Sequence, residues 1–524
     1  MRNFIKSGFL MLCTAALLTG CQTKDAGLTA NESSSPQTTD AVSAEVKYDT
    51  AVNIELSDAE TKVNGEMIAN AATDSETGVY AANDIIFYLA GQGITYGEGS
   101  EADEHSQEEA DANTVIHITK PGKYIVSGKL SAGQIAVDLG EDAETDPEAV
   151  VTLILNGADI TCKVAPAVIF YNVYECGNDD TESATKDVDT SSAGANVILT
   201  DGSISNVNGS YVAKIFESCE LNEAGTEVIN SKKLHKYDAA FYSKQSMNIC
   251  GESENSGILN ITAENEGLDS ELHLTLRGGN INITSGNDGI NTNEDNVSVT
   301  TVDGANVNIL VTGETGEGDG IDSNGWLVIN SGSVIAQACS TSGDAGIDSD
   351  MGIHINGGLI MASGNMLDAI SESSQTYAVF QFATADTGKK SILLKNASGD
   401  SLFQYTPENN YSYLILSSPE LAEGNYTLWQ NDAQLSAMPE NFGGGHGGIP
   451  GGPKPEGMEP PQNGEKPKDM KKPQDGRLPE DMEIPPDDEN PDGMKKPEKG
   501  IRSDFGEAST DIHIVSGGNQ FVIM

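Results

Sequence analysis

The phrase Gly318-Asp-Gly-Ile-Asp322 recurs with small changes along residues 238–371. Clear copies read Asn287-Asp-Gly-Ile-Asn291 and Asp344-Ala-Gly-Ile-Asp348. Looser ones read Glu266-Gly-Leu-Asp269 and Leu367-Asp-Ala-Ile370, and Ala239-Ala-Phe-Tyr242 is a degenerate copy. With Gly267, Gly289, Gly320, Gly346 and Ala369 taken as equivalent, the steps are 22, 31, 26 and 23 residues. One supersecondary unit per step is the mark of a stacked repeat.

The residues after each turn say what the unit is made of. Ser246-Met-Asn-Ile249, Leu272-His-Leu-Thr-Leu276, Val297-Ser-Val-Thr300, Trp326-Leu-Val-Ile-Asn330 and Gly352-Ile-His-Ile-Asn356 form one strand column. A Gly-rich corner such as Arg277-Gly-Gly279 or Ser331-Gly332 follows. A second column comes next: Asn280-Ile-Asn-Ile283, Ala305-Asn-Val-Asn-Ile309, Ser333-Val-Ile-Ala336 and Leu359-Ile-Met-Ala362. Apolar and polar residues alternate with the period of two that belongs to strands. Hairpins cannot join consecutive parallel strands, so a chain of this kind must wrap. The pattern predicts an all-β fold: a right-handed parallel β-helix (solenoid) of coils about 4.8 Å apart. A β-rich C-terminal cap is expected over its open end, which would otherwise expose unpaired strand groups.

The flanks divide the chain further. Residues 1–21 read as a lipoprotein signal peptide. Met1-Arg-Asn-Phe-Ile-Lys6 is its charged region, and the apolar run to Leu18 precedes Leu18-Thr-Gly-Cys21, where Cys21 would take the lipid. The alternative is an ordinary secretory signal with a chance cysteine. The mature chain is expected to be extracytoplasmic, lipid-anchored to a bacterial membrane at the cell surface. Residues 22–47 read as a flexible tether, 48–375 as the repeat domain and 376–440 as the cap. Residues 441–503 hold most of the prolines and read as a disordered Pro/Gly-rich segment, and 504–524 as terminal strands.

Composition narrows the partners. The formal net charge of −51 disfavours nucleic acid, whose phosphates require Lys and Arg, and favours divalent cations. Five cysteines remain after Cys13 and Cys21 are removed, with no CxxC spacing, so small buried thiols are expected.

Aligned, the turns place acidic and amide groups in columns. Glu266, Asp288, Asp319 and Asp368 precede the Gly, where one turn has Ala345. Asp269, Asn291, Asp322 and Asp348 form a second column, and Glu271, Asn293, Asn324 and Asp350 a third. Carboxylates about 5 Å apart repel by about 1 kcal/mol in water and several times that near a protein surface. Calcium, which takes hard oxygens at about 2.3–2.6 Å, bridges such neighbours; magnesium prefers smaller octahedra and retained water. The candidate calcium ligands are Glu266, Asp269, Asp288, Asn291, Asp319, Asp322, Asp344, Asp348, Asp350 and Asp368. The competing explanation is a set of solvated Asx-turns.

Catalysis is not expected. Calcium-assisted lyase chemistry needs a basic residue to remove a proton, and Arg277 is the sole Lys or Arg between Gln245 and Thr387. His354 lies in a strand without the acidic and basic companions that a hydrolase needs. The acids recur as a ladder rather than gathering at one site. Aromatic platforms are scarce: Tyr242 and Trp326 are the candidate carbohydrate-contacting residues, and Trp429 is the other Trp.

Several ordered motifs carry a resemblance. Pro121-Gly-Lys-Tyr-Ile-Val-Ser-Gly128, Gly133-Gln-Ile-Ala-Val-Asp138, Leu153-Ile-Leu-Asn-Gly-Ala-Asp-Ile160, Ala240-Phe-Tyr-Ser-Lys244, the Asp-Gly-Ile turns and Leu416-Ser-Ser-Pro419 appear in that order. Together they resemble the bacterial carbohydrate-binding parallel β-helix family, over roughly residues 50–430. The resemblance implies a pectate-lyase-like fold with calcium between coils. It also implies non-catalytic binding of extracellular polysaccharide such as cellulose or pectin by residues 48–375. The departures are the Cys176–Gly194 insertion, the long step before Asp319, Ala345 and the Pro/Gly-rich segment. A calcium-dependent polysaccharide lyase and a structural surface adhesin are the alternatives.

Overall fold

The computed structural model describes residues 50–439 and 508–524, Thr387 excepted. The signal peptide with Cys21, the tether and the Pro/Gly-rich segment lie outside the described residues. Those described are almost entirely strand, with one short α-helix, Gln107–Asp111, among them. That helix begins at a capping box: the Ser106 hydroxyl accepts from the Glu109 N–H, and the Glu109 carboxylate accepts from the Ser106 N–H at 2.8 Å.

Four of the repeated turns, from Ala239 to Asp322, continue a sheet of eight strands. Its spatial order is Val79–Ala82, Thr114–Ile118, Gly133–Asp138, Val168–Asn172, Ala239–Ser243, Glu266–Ser270, Ile290–Thr292 and Ile321–Ser323. The first pairing is antiparallel and the others are parallel. Register follows the repeat: Phe241, Leu268, Ile290 and Ile321 stand opposite one another, and all four are fully buried. The apolar residue of each phrase therefore anchors its turn in the core, and burial of that side chain, about 1.5–3 kcal/mol each, fixes the register.

The two long columns do not stay separate. Val151–Thr161, Val299–Val311 and Trp326–Gln337 run through the corners unbroken, so both columns join one sheet of twenty strands. At Asp303-Gly304, where the sequence predicts a strand break, the pairing shifts register and continues. Gly304 and Gly332 hold positive φ there, 109° and 89°, which lets the strand bend without surrendering its partners.

Both ends of the stack reverse direction. At one end Val52–Leu56 pairs antiparallel with Lys62–Val63. At the other, Tyr411–Ser417 pairs antiparallel with both Leu359–Gly364 and Tyr377–Asp386, and Gly518–Ile523 joins Tyr377–Asp386. This corrects the predicted fold. The chain is all-β, but it is not an open right-handed parallel β-helix (solenoid). Its predicted faces are fused by continuous strands, and Tyr377–Asp386, Tyr411–Ser417 and Gly518–Ile523 belong to the same sheet as the stack, while Ile392–Asn396, Ser401–Tyr405, Gly424–Gln430, Ala433–Gln434 and Ile512–Ile514 form a five-stranded sheet of their own. The physical reason is hydrogen bonding: bending at glycine lets a strand resume its pairing just past the corner, and antiparallel closure pairs the edge that a bare stack leaves open.

Two buried histidines, His273 and His354, sit in the twenty-stranded sheet. His273 is 5 % exposed, and its Nδ1 accepts from the Val299 N–H at 3.2 Å. Burial lowers its pKa to about 4. Its folded pKa lies below the unfolded value of about 6.5, so the neutral ring's contribution is complete above 6.5 and is lost as pH falls through 4. Protonation would bury a charge and cost the Val299 N–H its acceptor. Between pH 7 and pH 4 the wild type should lose about 3 kcal/mol more than His273→Gln, which carries no titrating group. Urea midpoints of both proteins at the two pH values measure this, and parallel losses would refute it.

Candidate functional site

The acidic ladder lies along the eight-stranded sheet. Asp269, Asn291 and Asp322 occupy matching register positions on three successive strands, and the Asp348 N–H donates to the Ile321 carbonyl at 2.7 Å, extending the column. Tyr242 stands opposite Asp269 at the head of that column. One position further, the Asp350 N–H donates to the Ser323 carbonyl.

The column before the Gly is held by the next turn. The Asp319 N–H donates to Asp288 Oδ1 at 2.6 Å, and the Ala345 N–H donates to Asp319 Oδ1. The Gly318 N–H donates to Asp344 Oδ2 at 2.6 Å. These bonds run from one turn to the next, 26 or 31 residues apart in sequence, unlike Asx-turns, which bond the backbone two residues on. They leave part of the array unanswered, because Asn291 Oδ1 and Asp368 Oδ2 are buried without a hydrogen-bond partner. Asn291 itself is 7 % exposed, and Asp269 is fully buried. Its carboxylate accepts both contacts of the Asn293 amide, at 2.9 and 3.0 Å, while Asn291 Nδ2 reaches Glu266 Oε1 at 3.3 Å.

The electrostatics of the ladder are strained in one direction. Burial, then Asp344 and Glu317 against the relief of the Asp319 N–H, pushes the Asp288 carboxyl up to about 6. Burial pushes Asp319 up to about 9, with Asp288, Asp348 and Asp322 adding to it. Asp322 and Asp348 each rise to about 7, first through burial and then through neighbouring carboxylates. Asp350 and Asp368 are also raised, burial again being the main cause. These six acids resist ionisation side by side, and a cation between them would relieve that. Among the described residues, no three His, Cys, Asp or Glu side chains converge into a ready-made metal cage. The donors are instead spread along the stack and mixed with amides such as Asn291, a hard-oxygen set that suits calcium rather than zinc.

The other sequence candidates fall elsewhere. Arg277 lies at a corner of the twenty-stranded sheet, and its Nη2 donates to Thr190 Oγ1 at 3.3 Å. His354 is buried, with Nδ1 3.4 Å from the Glu372 carboxylate. Tyr242 is 3 % exposed and donates its hydroxyl to Glu271 Oε1 at 2.7 Å. Trp326 is half-buried between Val299 and Gly352. Trp429 carries the Lys395 ammonium 4.5 Å from its ring centroid. Sequence reasoning passed over Tyr171, Tyr174 and Tyr237, which gather near Tyr242 from distant segments; no spacing in the sequence links them.

Comparison with known proteins shows the family, and the chain belongs to it. A family model described as "Carbohydrate-binding domain-containing protein" matches residues 112–392, more than half of the chain. No curated protein matches it. The chain is similar to a solved structure of the polysaccharide lyase-like protein from C. thermocellum, a gadolinium derivative, at 17 % identity and a TM-score of 0.31. That match covers 62 % of this chain and 97 % of the other.

Proposed function

From the chain's membership of the carbohydrate-binding domain-containing family, we propose that it is a non-catalytic, lipid-anchored protein of the bacterial cell surface that binds extracellular polysaccharide on a calcium-stabilised stack. Carbohydrate binding follows from the family. The observation that carries the rest is the buried acidic ladder with its unpartnered Asn291 and Asp368 oxygens. Asp269, Asn291, Asp322, Asp348 and Asp368 would hold the ions, and calcium would supply charge neutralisation between neighbouring turns. The bound ions then rigidify a face against which a glycan lies. Anchoring rests on the Leu18-Thr-Gly-Cys21 sequence.

The non-catalytic reading rests on where the bases sit. Arg277 is bonded to Thr190 of the Cys176–Gly194 insertion, and His273 and His354 are buried with their own partners. None stands over the ladder to take a proton. Pull-down of the purified chain on insoluble cellulose and on calcium-pectate gel tests both halves. We expect retention on at least one, with no unsaturated uronate absorbance from soluble pectin. Absorbance that grows with time would make it a lyase, and absence of retention on either would leave a structural adhesin.

A further inference from the structure

A cleft of about 510 Å³ opens beside the head of the acidic ladder, walled by segments that the repeat does not contain. One wall is the antiparallel arm Val212–Leu221 and Val228–Tyr237. The other is the Cys176–Gly194 insertion, which the sequence presents as a surface excursion. Its far end is tied down: Thr190 is fully buried, donates to Asn248 Oδ1 at 2.7 Å and lies 2.7 Å from Thr275 Oγ1. The insertion is therefore held against the stack.

The lining combines rings and hydrogen-bonding groups. Tyr171 and Tyr237 meet edge to face at 6.1 Å between centroids, and Tyr237 and Tyr242 follow at 5.2 Å. Tyr171 and Tyr174 are half-buried, and Leu234 is 47 % exposed, so apolar surface faces the opening. The Lys244 ammonium lies 5.3 Å from the Tyr171 centroid and 3.9 Å from Glu144. Lys233 lies 3.6 Å from Glu271. Neither is at hydrogen-bonding distance, so both keep donors for a ligand. Five carboxylates, those of Glu144, Glu175, Asp179, Glu271 and Glu294, face these two ammonium groups, a formal charge of −3.

We propose that this cleft is a glycan subsite for an uncharged, hydroxyl-rich pyranoside chain. The inference deepens the polysaccharide-binding reading and rests on it. Sugar C–H faces pack on tyrosine rings and on Leu234, while hydroxyl groups donate to the carboxylates and accept from Lys233 and Lys244. A uronate chain carries one carboxylate per residue into a cleft already negative, and each close pair costs about 1 kcal/mol even at the dielectric of water. The cleft therefore discriminates by charge, favouring neutral glycans over pectin-like ones.

Calorimetric titration with cellohexaose, xylohexaose, hexagalacturonate and glucosamine hexamer, in calcium-saturated buffer, tests it. A neutral hexamer should bind the wild type at least tenfold more tightly than hexagalacturonate. Leu234→Glu, at an exposed position, and Tyr171→Ala should each weaken that binding about tenfold at unchanged melting temperature, while Trp429→Ala leaves it unchanged. Preference for hexagalacturonate or for the glucosamine hexamer overturns the ligand class. Full affinity in both cleft variants overturns the site while leaving polysaccharide binding intact. A wild type that is retained on no polysaccharide defeats the functional reading itself, and this proposal with it.

Discussion

Calcium should raise the thermal midpoint of the purified chain, and Asp322→Asn should reverse the sign of its own effect according to whether calcium is present. A single site at a hundred times its dissociation constant stabilises by about 2.7 kcal/mol, and a ladder offers more than one. Without the ion, Asp322 is a buried carboxylate pushed up to about 7 by burial and by Asp288, Asp348, Asp350 and Asp368. Replacing it with an amide of the same shape removes that repulsion, so the calcium-free variant should melt at or above the wild type. With calcium the same change deletes a charged ligand, and the variant should melt below it. Differential scanning calorimetry in EGTA and in calcium reads all four states. Identical wild-type midpoints in the two buffers would end the calcium proposal. An Asp322→Asn variant that is equally destabilised in both would make the ladder a set of ordinary turns.

Gly289→Ala should cost about 3 kcal/mol, at the upper end of what overpacking usually does. Gly289 does not have a positive φ, so backbone strain is not the reason. A Cβ there would stand 2.2 Å from Ile309 Cγ2 and 2.5 Å from the Gly320 carbonyl oxygen. Gly320 is placed the same way, with the Gly346 carbonyl oxygen at 2.3 Å. Gly267, Gly289 and Gly320 are thus points where one turn's backbone rests on the next. The carbonyl cannot retreat, because the Ile290 N–H donates to that same Gly320 oxygen. Gly343→Ala is the control: a Cβ there meets nothing within 4 Å, and the change should stay within about 0.5 kcal/mol. Urea unfolding gives both values, and a Gly289→Ala loss no larger than the control's would refute the close-approach account. The same reasoning explains Ala369, which is exposed, in the final copy of the phrase.

The sequence by itself determined the strand content, the period and the register. Alternation of apolar residues and the recurring Gly-Ile phrase are local signals, and burial of Phe241, Leu268, Ile290 and Ile321 makes any other alignment expose the core. The acidic columns were legible for the same reason, since residues two apart from a fixed glycine must stack once the turns do. The Ser106-x-x-Glu109 capping box was also written in the sequence, although its segment read only as an acidic loop.

Tertiary structure alone decided the rest. Whether a corner glycine breaks a strand or bends it depends on the partner strands on either side, and at Gly304 and Gly332 those partners hold the strand continuous. That merged the expected faces into one sheet and removed the open solenoid. The fate of Tyr242 was likewise undecided by its own neighbours: the Tyr237 ring and the Glu271 carboxylate bury it, so it serves as the floor of a cleft and not as an exposed platform. The cleft itself joins residues spread from Glu144 to Glu294, among them an insertion and an arm that share no pattern with the repeat. Periodicity reports what every turn has in common; a binding site is made where the turns differ, and only packing brings those differences together.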